Sequence, residues 1–117
     1  MRNDIAYHQA LTLEHEGRFE EAVELFQRCF ADPMFDEGDL RFHCGWCLEN
    51  EKKQQQALAF YERAAEMSRI PSVKLNAYFR AGWVVMHEKD FVNAADMFCN
   101  AVEYGDLVGL KNETYMH

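Results

Sequence analysis

The sequence is poor in helix breakers, with two prolines and six glycines in 117 residues. So little punctuation argues against a loop-rich or all-β fold and favours helix. Positive charge is also short. Twelve Lys and Arg face twenty Asp and Glu, a net charge of −8. Residues 1–60 hold 6 bases and 12 acids, and the remainder hold 6 and 8. There is no basic stripe, so nucleic acid is not an expected partner. An acidic chain is also repelled by anionic lipid. No apolar run approaches the roughly 20 residues that span a bilayer. The opening "MRNDIAYHQA" has no apolar h-region, so no export signal is expected.

Catalytic signatures are missing as well. There is no glycine-rich phosphate loop, no serine nucleophile elbow and no HExxH. His8, Glu14 and His15 share part of one helix, but nothing beside them supplies a nucleophile or an oxyanion hole. Enzyme activity is not expected. Cys29, Cys44, Cys47 and Cys99 fall inside apolar helical patterns, as reduced core thiols of a cytoplasmic protein would. His43 and Cys47 are one helical turn apart, yet a lone pair falls short of the four ligands of a zinc site. The two thiols of the CxxC lie mid-helix, away from the helix N-terminus that activates a redox pair. No metal or cofactor is expected.

What the chain does have is aromatic and apolar residues, 14% and 49%, enough for one packed domain. These residues repeat. Ala22-x3-Phe26-x2-Cys29 is echoed by Ala57-x3-Tyr61-x2-Ala64 and by Ala94-x3-Phe98-x2-Ala101. The spacing i, i+4, i+7 is one face of a helix. Twelve residues before each leading alanine stands another small residue: Ala10, Gly45 and Gly82. Three residues after each of those is an apolar one: Leu13, Leu48 and Val85. The units are offset by 35 and then 37 residues, while the internal spacing of 12 does not change. Small residues let two antiparallel helices approach closely, and the aromatic fills the space beside them. A single such hairpin cannot bury its own faces, so neighbours must stack.

In these residues the chain resembles the tetratricopeptide repeat family, whose pattern is a large residue, a small pair or Leu-Gly, an apolar residue and then Ala-x3-aromatic-x2-Ala. Three units span about 3–36, 38–71 and 75–106, followed by a tail at 107–117. The large residue expected four before the Gly is Ala6, Arg41 and Tyr78, so only the third unit fits there. The aromatic after the turn is Phe19 and Phe91 but Gln54 in the middle unit, and the closing proline is displaced to Pro33 and Pro71. The resemblance implies an all-α fold: a right-handed superhelical solenoid of three helix-turn-helix repeats with a short C-terminal capping segment. Expected helices run about Asp4–Glu16, Phe19–Ala31, Leu40–Asn50, Lys52–Ser68, Pro71–His87 and Phe91–Tyr104. Gly17 and Gly105 are expected stops, and Asp39 and Asp90 expected N-caps.

A second stripe lies beside the packing face. Phe79, Trp83 and Met86 follow i, i+4, i+7, and the same offsets give Phe42, Trp46 and Glu49, then Tyr7, Leu11 and Glu14. The resemblance implies that these positions line an inner, concave groove. Tyr7, Leu11, Phe42, Trp46, Phe79, Trp83 and Met86, with His43 and Arg80, are therefore the candidate ligand-groove residues. Family members that clamp a terminal carboxylate use Lys, Asn and Arg at positions matching Tyr7, Leu11, His43, Asn76 and Arg80. Only Arg80 keeps its charge, so that clamp is not expected. Arg80 alone stays open as a holder of one carboxylate. Asp4, Glu14, Asp39 and Glu49 near the inner face favour a ligand with basic flanks. The implied function is an adaptor that binds a peptide or helix of another protein by aromatic anchors. Other uses of the rings stay open: filling space between adjacent repeats, lying under a folded-over C-terminal tail, and forming a homodimer or larger scaffold through an exposed apolar face.

Overall fold

The computed structural model describes residues 3–111, with side chains through Glu103. The described residues form six α-helices and no strand: α1 (Asn3–His15), α2 (Phe19–Arg28), α3 (Glu37–Asn50), α4 (Gln54–Met67), α5 (Pro71–His87) and α6 (Phe91–Lys111). Each helix packs on the next in sequence, and α3 also touches α5. The result is an array of three antiparallel helical hairpins, the all-α repeat fold read from the sequence.

The turn inside each hairpin has one backbone design. The Arg18 N–H reaches Leu13 O at 2.8 Å and Gly17 N–H reaches Glu14 O at 3.1 Å. Lys53 and Lys52 repeat this on Leu48 and Glu49, and Asp90 and Lys89 repeat it on Val85 and Met86. This paired pattern is a Schellman motif, which needs a left-handed residue just beyond the helix. That residue is Gly17 at φ 82°, but Lys52 at φ 67° and Lys89 at φ 64° in the later repeats. A side chain in that conformation costs roughly 1–2 kcal/mol, partly offset because glycine loses more freedom on folding. Lys52→Gly and Lys89→Gly are each expected to raise stability by about 0.5–1 kcal/mol, read as a higher urea midpoint by circular dichroism.

Close approach within each hairpin depends on the small residue. Sixteen residues after Ala10, Gly45 and Gly82 come Phe26, Tyr61 and Phe98. A Cβ on Gly45 would lie 2.8 Å from the Tyr61 ring, and one on Gly82 would lie 2.6 Å from the Phe98 ring. Ala10 and Phe26 are fully buried in the first core cluster.

Four boundaries differ from the sequence expectation, beginning with α4, which starts at Gln54 rather than Lys52 because Lys52 is the left-handed turn residue. The cap of α3 is Asp36, not Asp39: its carboxylate accepts the Asp39 N–H at 3.0 Å, and the helix begins at Glu37 rather than Leu40. Asp36 wins because the same carboxylate also accepts the Ser68 hydroxyl at 2.7 Å and the Arg69 N–H at 3.2 Å. These bonds fasten the start of α3 to the end of α4. Between them Gly38 is buried, and a Cβ there would fall 2.3 Å from Ser68 Cβ and 2.4 Å from Ser68 Cα. Helix α2 stops at Arg28 instead of Ala31. Finally, α6 does not stop at Gly105 but continues to Lys111. Each of its two internal glycines, Gly105 and Gly109, costs the helix only about 1 kcal/mol, which continued hydrogen bonding offsets. The start of the expected capping tail is thus part of α6, and 112–117 lie outside the described residues. The cap expected at Asp90 is present, its carboxylate accepting the Asn93 N–H at 3.3 Å.

Candidate functional site on the first helices of the repeats

The candidate residues all stand on α1, α3 and α5, one set per repeat. Equivalent positions have different surroundings. Tyr7 is half-buried, 5.0 Å from the Phe35 ring and 6.1 Å from Phe26. Burial raises the pKa of its phenol, and the Asp39 charge adds to that. Leu11 packs against the first core cluster. Phe42 lies 5.5 Å from Tyr61 and packs on the clusters that contain Ala77, Ala81 and Val84 of α5. Trp46 is half-buried, edge-on to Phe19 at 5.9 Å. Phe79 and Trp83 are the open pair, at 42% and 38% exposure, each 5.8 Å from Phe98. Phe42 is partly covered by α5 of the next repeat, Trp46 by Phe19 of the preceding one, and Tyr7 by Phe26 and Phe35 of its own. The rings of the third repeat have no next repeat over them among the described residues.

Charge at the two repeat junctions follows one plan. Glu14 on α1 meets His43 on α3, with Nδ1 to Oε2 at 3.0 Å. Glu49 on α3 meets Arg80 on α5, with Nε to Oε1 at 3.2 Å and Nη2 to Oε2 at 2.5 Å. Glu14 and Glu49 are equivalent positions, as are His43 and Arg80. Each carboxylate is mostly buried, at 13% and 16% side-chain exposure, so the pairs act as joints between repeats rather than as solvated surface. The Tyr61 hydroxyl donates to Glu49 at 2.7 Å, and burial followed by the Glu49 carboxylate pushes its pKa up. For His43, burial lowers the pKa, but the hydrogen bond and charge of Glu14, with Asp39 at 3.8 Å, outweigh it and the net shift is upward. The imidazole also stacks on Phe26 at 5.1 Å.

Arg80 is therefore already engaged by a carboxylate of its own chain, and Glu14 and Glu49 are engaged with bases. This network was not anticipated from the sequence. Its signal was available in the repeat register, where an acid and a base recur with the 35- and 37-residue offsets. Met86 occupies the third-repeat position of Glu14 and Glu49 and is half-buried.

His43 and Cys47 do converge, but on Glu14: the Cys47 thiol donates to its Oε2 at 3.6 Å. Cys29, Cys44 and Cys47 are buried and Cys99 is exposed, all as free thiols. Burial pushes the Cys44 thiol up to about 12, and burial with the Glu14 charge pushes Cys47 up as well. Among the described residues no three His, Cys, Asp or Glu side chains are placed to hold a metal ion, and no helix is long and apolar enough to cross a membrane.

Two clefts adjoin these helices. One, of about 460 Å³, lies between α3 and α5, with Trp46 as a wall, Glu49 and Arg80 beside it, and Lys52, Gln54 and His87 at its edge. The other, of about 550 Å³, lies between α1 and α2 and is lined by Ile5, Gln9, Thr12, Leu13 and Leu25 among others.

A comparison with curated proteins gives no match. The family model described as tetratricopeptide repeat matches residues 4–31 and 39–70, covering the first two hairpins. Repeats of this family mediate protein–protein interactions. The third hairpin repeats the same Gly-to-aromatic lock and the same turn, at Gly82, Phe98 and Lys89. With more than half of its residues inside the matched segments, the chain belongs to the tetratricopeptide repeat family.

Proposed function

We propose that the chain is a non-catalytic adaptor of the cytoplasm that holds a peptide or helix of another protein along α1, α3 and α5. The observation that carries this reading is the cleft of about 460 Å³ between α3 and α5, walled by the half-buried ring of Trp46. An aromatic wall beside fixed polar groups is the usual make-up of a binding hot spot. Arg80 contributes as a neutralised part of the floor, because Glu49 holds its guanidinium. Lys52 and His87 at the rim are the polar groups that meet the ligand. The net charge of −8 favours basic flanks on that ligand. The free thiols fit a reducing compartment. Ordering a flexible peptide in so short a groove keeps affinity near the micromolar range, about −8 kcal/mol.

Peptides selected by display against the wild-type chain give the test. Trp46→Ala is expected to weaken the selected peptides by about 2 kcal/mol, roughly thirtyfold, while far-UV circular dichroism stays helical. Unchanged affinity in a folded Trp46→Ala protein would remove Trp46, and with it this cleft, from the site.

A further inference from the structure

The molecule contains the same inter-repeat interface twice, and a third copy of one half of it is open among the described residues. At the first junction α3 presents Leu40, Cys44 and Cys47, all fully buried against the first hairpin. At the second, α5 presents Ala77, Ala81 and Val84, at most 1% exposed. Both sets follow i, i+4, i+7. The receiving half at the second junction is Phe42, Leu58, Tyr61 and Ala65. Its third-repeat counterparts are Phe79, Ala95, Phe98 and Val102. There Val102 is 58% and Phe79 42% exposed, and Phe91 beside them is 63% exposed. Among the described residues nothing packs over this face as α5 packs over its second-repeat counterpart.

We infer that the end face of the third hairpin, made by Phe79, Phe98 and Val102 with Phe91 and Trp83 at its edge, docks an amphipathic helix of another protein that carries small or medium apolar residues at i, i+4 and i+7. The two internal junctions define that occupant, because the open face continues an interface whose partner is known at both. They also define one difference. His43 and Arg80 sit at i+3 of their stripes and pair with Glu14 and Glu49. The third-repeat counterpart of those acids is Met86. A base at i+3 of the docking helix would have no carboxylate to meet, so that position is apolar. A second copy of this chain does not fit in register. Its α1 offers Ile5, Gln9 and Thr12 at the stripe positions, and stacking would bury two polar side chains, now exposed, without the acid–base joint.

The probe is a synthetic peptide of residues 70–88, the known occupant of the second junction, with Phe79→Gln and Trp83→Gln for solubility and with Arg80→Leu. It is titrated into the full chain while the Trp83 indole resonance is followed by NMR. Saturable shifts at Trp83 are expected. Retaining Arg80 in the peptide should weaken binding about fivefold, the cost of burying an unpaired charge. Val102→Asp in the protein should weaken it about tenfold, and so should Phe91→Asp, both at exposed positions that leave the fold intact. No saturation by about 1 mM, the range of very weak complexes, overturns the inference. So does binding by both aspartate variants as tight as that of the wild-type chain. A Trp83 resonance that moves with protein concentration alone assigns the face to a second copy and also overturns it.

Discussion

Gly38→Ala is expected to lower the unfolding free energy by about 3 kcal/mol, although helix propensity alone favours the change by about 1 kcal/mol. The two effects have opposite signs, and packing decides. The added Cβ would lie within 2.5 Å of Ser68 Cβ, Cα and N, two of them backbone atoms that cannot rotate away. The start of α3 and the end of α4 would have to separate. That movement stretches the bonds from Asp36 to the Ser68 hydroxyl and the Arg69 N–H. Gly82→Ala is the control. Its new Cβ meets the edge of the Phe98 ring, which can tilt, so the cost is nearer 1 kcal/mol. Urea unfolding of both variants measures the difference. A Gly38→Ala protein as stable as wild type would refute the close approach.

Glu49→Ala is expected to cost about 2 kcal/mol at every pH from about 6 to 8. It removes the acceptor of the fully buried Tyr61 hydroxyl and the carboxylate that pairs with Arg80, leaving only the contact between those two side chains. Arg80 is 36% exposed, so water screens part of its loss and the larger buried-pair figures do not apply. The cost is flat with pH because Arg80 stays protonated throughout. Glu14→Ala behaves differently, since its partner is His43. The folded-state pKa of His43 is raised above the ordinary 6.5. Its pairing energy is therefore complete below about pH 6.5 and fades as pH rises through the folded pKa. The Glu14→Ala penalty should be larger at about pH 6 than at pH 8. Asp39, Tyr7 and Cys47 also face this cluster, and Asp39 retains part of the charge pairing. Stability curves of wild type and both variants at the two pH values provide the check. A flat Glu14→Ala penalty would show that His43 is not charged in this joint.

The stacking plan was legible because it rests on side-chain size at fixed intervals. Ala10, Gly45 and Gly82, each facing an aromatic sixteen residues later, need no third dimension to be seen. Gly17 was readable as a turn for the same reason: glycine advertises a left-handed backbone. Lys52 and Lys89 adopt that backbone with no such sign, which is why the start of α4 was hard to place. Asp36 and Asp39 are chemically equal as caps, and only Ser68, 32 residues downstream of Asp36, breaks the tie. The ring stripe was visible on a helical wheel, but its exposure was not. Phe42 and Phe79 hold one register position, yet the first is half-buried against α5 and the second is 42% exposed. A wheel assigns a face to a side chain and cannot say what comes to rest on that face. The acid–base joints join residues 29 and 31 apart on separate helices, so they escaped a reading that went one helix at a time.

Thiol chemistry on the folded chain has a narrow entrance. Electrophiles and oxidants attack thiolates, and the core keeps Cys44 and Cys47 in the neutral form while walling off Cys29. Cys99 on the outside of the last hairpin is thus where glutathionylation, alkylation or a cross-link to another protein must begin. The other three thiols become reactive only when their helices part, which makes their labelling a clock for local unfolding.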